Sequence, residues 1–146
     1  MLKKEVCMML VACLAVLPTL VWAEESFTVA GEIEFEKSGN IYLQIVTEDQ
    51  FKNDKEGTAS IIINVGAEEQ QTGKVSFSLE NVPAGTYAIT SFQDVDGDGD
   101  LTFGTFGPKE PWGTYQHNRP KFSGPKFEKM AFEVKENLSG ISIKLK

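Results

Sequence analysis

Thiols and imidazole are almost missing from this chain. Its two cysteines, Cys7 and Cys13, both fall within the first 23 residues, and His117 is the one histidine. From residue 24 onward there is therefore no disulfide and no cysteine-based metal site, so stability has to come from a hydrophobic core, with or without a metal. One histidine without thiols does not assemble a typical zinc site, although carboxylates can complete one. A Ser-His-Asp arrangement would have to use His117, together with Ser123, and no nucleophile-elbow spacing surrounds that serine. Phosphate-binding loops, dinucleotide fingerprints and internal repeats are also missing, as is any long helical periodicity. These gaps argue against a catalytic centre.

Basic charge is the next scarcity. The chain carries 14 basic and 21 acidic residues, a net of −7. Without residues 1–23 the balance is 12 against 20, or −8. Residues 24–108 hold 4 basic and 16 acidic groups, whereas 109–146 hold 8 and 4. An acidic bulk of this kind excludes nucleic acid as the expected partner, because phosphate backbones require basic surface. The lysines of the C-terminal part suit an anionic surface or a plain solvated face.

Apolar runs are short apart from one, residues 6–22, which follows Lys3 and Lys4 and ends in Val21-Trp22-Ala23. A charged start, an apolar middle and small or branched side chains before the cut describe a secretory signal peptide, cleaved after Ala23. A membrane-spanning helix is the alternative, but the run is shorter than the ~20 residues a bilayer needs, contains Pro18 and ends at Glu24-Glu25. Leu10-Val11-Ala12-Cys13 also fits a lipobox, but cleavage there would leave Leu14-Ala15-Val16-Leu17 as an apolar tail. The expected product is a single domain, residues 24–146, exported to the periplasm or the cell exterior with no membrane span. Its 123 residues suffice to bury roughly two-thirds of the unfolded surface.

What is present in abundance is strand periodicity. Residues 27–35 alternate apolar with polar, Ser38-Gly39-Asn40 interrupts, and 41–46 resumes. A polar stretch with a helical turn around 48–52 leads to a third strand at 60–65. A loop over 66–73 precedes strands at 74–79 and 86–92, joined through Pro83-Ala84-Gly85. Strands at 130–134 and 141–145 close the pattern, with Asn137-Leu138-Ser139-Gly140 as the turn between them. About seven short strands predict an all-β, antiparallel two-sheet sandwich, prealbumin-like or immunoglobulin-like, with a long C-terminal loop.

Leu79-Glu80-Asn81-Val82-Pro83-Ala84-Gly85-Thr86-Tyr87 resembles the L-x-N-[LV]-P-x-G-x-Y strand–turn–strand of prealbumin-like and carboxypeptidase-regulatory-like sandwiches. The longer stretch from Val82 through Asp94-Val95-Asp96-Gly97-Asp98-Gly99-Asp100 to Gly107-Pro108-Lys109-Glu110-Pro111-Trp112-Gly113 is similar to a bacterial exported family, domain of unknown function 2141. Residues 125–132 extend that likeness, which is strongest over 75–134. At Thr114-Tyr115-Gln116 the chain departs from the family's Phe-Ser-Asn-like triplet, so no shared ligand is carried over there. The resemblance implies a fold, export and an acidic loop, and it implies no reaction.

Asp94, Asp96, Asp98 and Asp100 alternate with Val95, Gly97 and Gly99. Four carboxylates this close repel one another unless a cation or water shields them. Calcium takes six to eight hard oxygen ligands on a turning backbone, and magnesium, which keeps its waters, suits the loop less well. Against the EF-hand loop, Asp94, Asp96 and Asp98 occupy the first, third and fifth positions. Gly99 takes the sixth, the Asp100 carbonyl the seventh and Thr102 the ninth. The twelfth is Thr105 instead of the bidentate glutamate, and Glu110 is the nearest replacement. The bland alternative is a solvated Asp/Gly turn without an ion.

Residues 101–127 combine Phe103, Phe106, Trp112, Tyr115, Phe122 and Phe127 with four prolines and four glycines, in a loop too long to lack a purpose. One reading is a platform of Trp112 and Tyr115 stacking on a sugar ring beside the metal. The favoured one is that these rings fold back over one end of the sandwich. The expected function is thus a non-catalytic binding or cell-envelope module that holds calcium, its partner a glycan or another envelope component. A carbohydrate-binding domain is the alternative, followed by a small envelope hydrolase built on His117 or a carboxylate pair.

Overall fold

The computed structural model describes residues 24–116 and 124–146. The segment 1–23 assigned to the signal peptide lies outside the described residues, as do His117, Phe122 and Ser123. Among the described residues no helix is long and apolar enough to cross a membrane. In chain order the elements are β1 (Ser26–Glu34), β2 (Asn40–Val46), α1 (Glu48–Lys52), β3 (Ala59–Ile63), α2 (Ala67–Thr72), β4 (Lys74–Pro83), β5 (Gly85–Asp94), β6 (Phe103–Gly104), β7 (Gly107–Pro108), β8 (Trp112–Thr114), α3 (Phe127–Met130), β9 (Phe132–Val134) and β10 (Leu138–Lys144).

Alternation in the sequence dictates which way each strand faces. In β1 and β2, Val29, Ile33, Ile41, Leu43 and Ile45 point inward and are buried. They meet Phe77, Leu79, Ile89, Ile141 and Ile143 in one core between two sheets. Each fully buried side chain of this kind contributes about 1.5–3 kcal/mol relative to leaving it in water. The smaller sheet has the order β10-β1-β4, and the larger β3-β2-β5-β8, with β9 also on β5. This is the all-β sandwich that the periodicity predicts.

The wholly antiparallel arrangement is corrected at one seam, where β1 and β10 run parallel. The cause is positional. Val134 of β9 pairs with Gly85, next to Ala84, whose N–H reaches the Glu25 carbonyl at 3.4 Å just before β1. The chain therefore enters β10 at the end where β1 begins, and runs on in the same direction. The turn is at 135–137 rather than at 137–140, and the Asn137 Oδ1 accepts from the Thr28 N–H at 2.9 Å. Gly140, with φ +78°, falls where the ladder register shifts between Val29 and Gly31.

Asn81 in the L-x-N-[LV]-P stretch has φ +58°, in the left-handed region that asparagine tolerates, and the β1–β4 register shifts there by one residue. The helical turn expected around 48–52 is α1, started by Thr47, which accepts from the Gln50 N–H at 3.3 Å while Gln50 Oε1 accepts from the Thr47 N–H at 2.8 Å. The 66–73 loop instead contains α2, ended by Gly73 at φ +66°. The strand expected from residue 130 begins at Phe132, because 127–130 wind into α3.

Two features bear on function. The segment 101–127 is not a structureless loop: β6 and β7 form a small hairpin and β8 joins the edge of the larger sheet. Moreover, the outer face of that sheet is only half covered. Phe51 of α1, with Phe127 and Met130 of α3, packs on Val46 and Ala88 as a second small core. Among the described residues the remainder of the face forms the floor of a groove.

Candidate functional site

β5 ends at Asp94, paired with Asn40 on β2, and Asp94 shares the outer face with Thr90 and Phe92. Beyond it the chain turns through the acidic loop, makes the β6–β7 hairpin and returns beside its own path. The return is zipped by Lys109 N–H to the Thr102 carbonyl at 2.9 Å and by Gln93 N–H to the Pro111 carbonyl at 2.8 Å. The loop is thus pinned at its base on both sides.

Within it the aspartates bond the backbone just ahead of them. Asp94 is buried and accepts from the N–H of Gly97 at 2.7 Å and of Gly99 at 3.0 Å. Asp96 Oδ1 accepts from the Asp98 N–H at 3.3 Å, and Asp98 Oδ1 from the Asp100 N–H at 2.9 Å. Short acidic side chains favour such turns, and Gly97 and Gly99 supply the positive φ, +80° and +82°, that the winding requires. The result is a tight coil with carboxylates inside it. One oxygen each from Asp94, Asp96 and Asp98 lies within 4.8 Å of the others.

Of the residues singled out from the sequence, these three are brought together. Asp100 is not one of the trio: it turns toward the open half of the sheet face, where it lines a groove. The Thr102 hydroxyl donates to Asp98 Oδ2 at 3.4 Å, at the margin of the cluster. Glu110 does something else. It is 6 % exposed, and its Oε1 accepts from the Val95 N–H at 2.8 Å and its Oε2 from the Thr102 N–H at 3.2 Å. One side chain thereby clamps both mouths of the loop. Two buried carboxylates, Asp94 and Glu110, are each held by two amides, as a buried anion requires.

The electrostatics follow from the crowding. Loss of hydration raises the Asp96 carboxyl above its ordinary value of 3.8, the charges of Asp98, Glu110 and Asp94 push the same way, and the Asp98 amide opposes them. Oxygens within 4.8 Å fit inside a coordination sphere whose ligands stand about 2.3–2.6 Å from a calcium ion. In chemical terms the loop offers hard, anionic oxygens.

The aromatic segment splits. Trp112 pairs with Phe92 across β5–β8 and lies on the outer face of the sheet, whereas Tyr115 packs on the inner core, edge-to-face on Phe132 at 5.3 Å and 88°. The structure therefore does not bring Trp112 and Tyr115 into one platform. Nor do all the rings fold back: Phe127 is buried, but Phe103 is 67 % exposed and Phe106 fully so. Sequence reasoning missed Tyr42, Phe92, Gln44 and Thr90, which join Trp112 on the outer face. Their signal was available in the alternation, since each stands between inward residues of β2 or β5.

Fold and loop together define a small two-sheet β-sandwich with a pinned acidic coil at one end of its larger sheet. Over residues 33–141 the chain matches the family described as "Uncharacterized protein conserved in bacteria (DUF2141)", and it belongs to that family. No curated protein and no solved structure matches it.

Proposed function

We propose that this protein is an exported, non-catalytic binding module of the bacterial cell envelope whose 94–98 coil takes a calcium ion. The observation that carries the reading is the convergence of the Asp94, Asp96 and Asp98 carboxylates within 4.8 Å. Three like charges so close are costly in the empty coil, and a divalent cation converts that repulsion into attraction. Asp94, Asp96 and Asp98 give side-chain oxygens, the Thr102 hydroxyl and Asp100 carbonyl add to them, and water fills the remaining places. Glu110 supports the coil from behind by holding its two ends.

Export rests on residues 1–23, and the non-catalytic role on the scarcity of histidine and cysteine. The experiment is thermal unfolding in excess calcium and in chelator. Calcium is expected to raise the midpoint, magnesium to raise it less, and Asp96→Asn to abolish most of the difference; identical midpoints in calcium and chelator would sink the assignment. Fractionation of cells followed by N-terminal sequencing checks export, with Glu24 expected as the first residue.

A further inference from the structure

We infer that the open half of the larger sheet's outer face binds a neutral carbohydrate chain. Ladder register aligns one apolar side chain from each of four strands into a single rung. Tyr42 stands opposite Ile62 on one side and Phe92 on the other, and Phe92 stands opposite Trp112. The Tyr42 and Phe92 rings are stacked, centroids 4.9 Å apart and planes 11° from parallel. Across three strand spacings the rung is ~14 Å long, enough for an oligomer rather than a single ring.

The next rung on the same face is polar. Gln44 stands opposite Ser60 and Thr90, and Thr90 opposite Thr114. The third rung, Val46 and Ala88, is already covered by Phe51, Phe127 and Met130. At the opposite end the acidic coil closes the face: Gly99 approaches the Tyr42 hydroxyl so nearly that a Cβ there would stand 3.5 Å from it. Between α1 and the coil lies a groove of about 790 Å³, within the ~300–1,000 Å³ usual for ligand sites.

The chemistry of the two rungs selects the occupant. Ladder bonds occupy the backbone of the floor strands, so recognition falls to side chains. The edges of the stacked Tyr42 and Phe92 rings, with Trp112 and Ile62 on either side, offer apolar surface to C–H groups, while the amide and hydroxyls of Gln44, Thr90 and Thr114 both donate and accept. A wholly apolar partner would leave those polar groups without bonds on burial. An anionic partner meets Asp54 and Asp100, and the lysine of the described lining, Lys55, is engaged with Asp49 at 2.7 Å. Nucleic acid bases would stack, but their phosphates would meet an acidic protein. Uncharged molecules with flat C–H faces and many hydroxyls are saccharides. Trp112 belongs to this site and Tyr115 does not. The assignment goes beyond the calcium reading and does not rest on it.

The test is isothermal titration of the full chain with cellohexaose, maltohexaose and chitohexaose, in calcium and in chelator. At least one is expected to bind. Trp112→Ala should weaken that binding roughly tenfold or more. Because Trp112→Ala also removes packing from β8, Gln44→Leu serves as a second variant, expected to weaken binding with the melting midpoint unchanged. Tyr115→Phe should bind as the parent does. Absence of binding by all three oligosaccharides, or affinity unchanged in both Trp112→Ala and Gln44→Leu, overturns the proposal. So does a dimer in sedimentation that Tyr42→Ala dissolves, since the face would then belong to a second copy. Oligosaccharide binding that persists in chelator, with a melting midpoint indifferent to calcium, would remove the ion and leave the groove.

Discussion

Glu110 shows how much a single buried side chain can decide. Its two oxygens take the amides on either side of the acidic coil, Val95 and Thr102, from a position 8 residues beyond the nearer of them. Glu110→Gln keeps the shape but turns an NH₂ group toward one of those amides, leaving a buried donor without an acceptor. A loss of about 1–3 kcal/mol is expected, read from urea unfolding, together with weaker calcium binding by titration calorimetry. Asp94 and Asp98 were legible as a pattern because alternating aspartates with glycines spell a turn. The clamp was not, since Glu110 is separated from the coil by a hairpin that only tertiary contacts bring back. The EF-hand comparison picks out the three aspartates that converge, Asp94, Asp96 and Asp98, and it could not say what stands in for the twelfth position.

At the scale of elements, two strand contacts yield predictions. β1 and β10 approach so closely at Gly31 that an added Cβ would lie 2.0 Å from the Ile141 carbonyl oxygen. Gly31→Ala must therefore spread the parallel seam, and a loss of about 1–3 kcal/mol or more is expected in thermal unfolding. On the outer surface of the same sheet Lys74 bridges Glu32 at 2.9 Å and Glu34 at 3.4 Å, and Lys144 reaches Glu34 at 3.6 Å. The hydrogen bond and charge of Lys74, then the charge of Lys144, hold the Glu34 carboxyl below its ordinary value of 4.5. A lowered folded value means that the ionised form stabilises the fold. That contribution is present above 4.5 and fades as pH falls through the folded value. These groups are exposed, so the effect is small and screened by salt. An NMR titration of the Glu34 side chain is expected to show the depressed midpoint, and Lys74→Met to move it back upward.

For the whole molecule, the proposed calcium ion would act by mass action. If the ion binds the folded chain alone, a free concentration a hundredfold above the dissociation constant adds about 2.7 kcal/mol, a large share of the 5–15 kcal/mol typical of such domains. The expected signature is a midpoint that climbs with the logarithm of calcium concentration, followed by calorimetry. A domain with no disulfide from residue 24 onward has reason to use such a staple.

Local sequence was enough to read the seven main strands, most of the turns between them, the inward residues of the core and the acidic coil. All of these depend on neighbours a few residues apart, through alternation or turn chemistry. Long-range packing set β10 parallel to β1, brought Glu110 to close the coil, and turned Trp112 outward beside Tyr42 and Phe92 while Tyr115 faces inward. Each of those depends on which strands lie side by side and in what register. Such pairing is fixed by burying all the inward faces at once, a condition that no local stretch of residues contains.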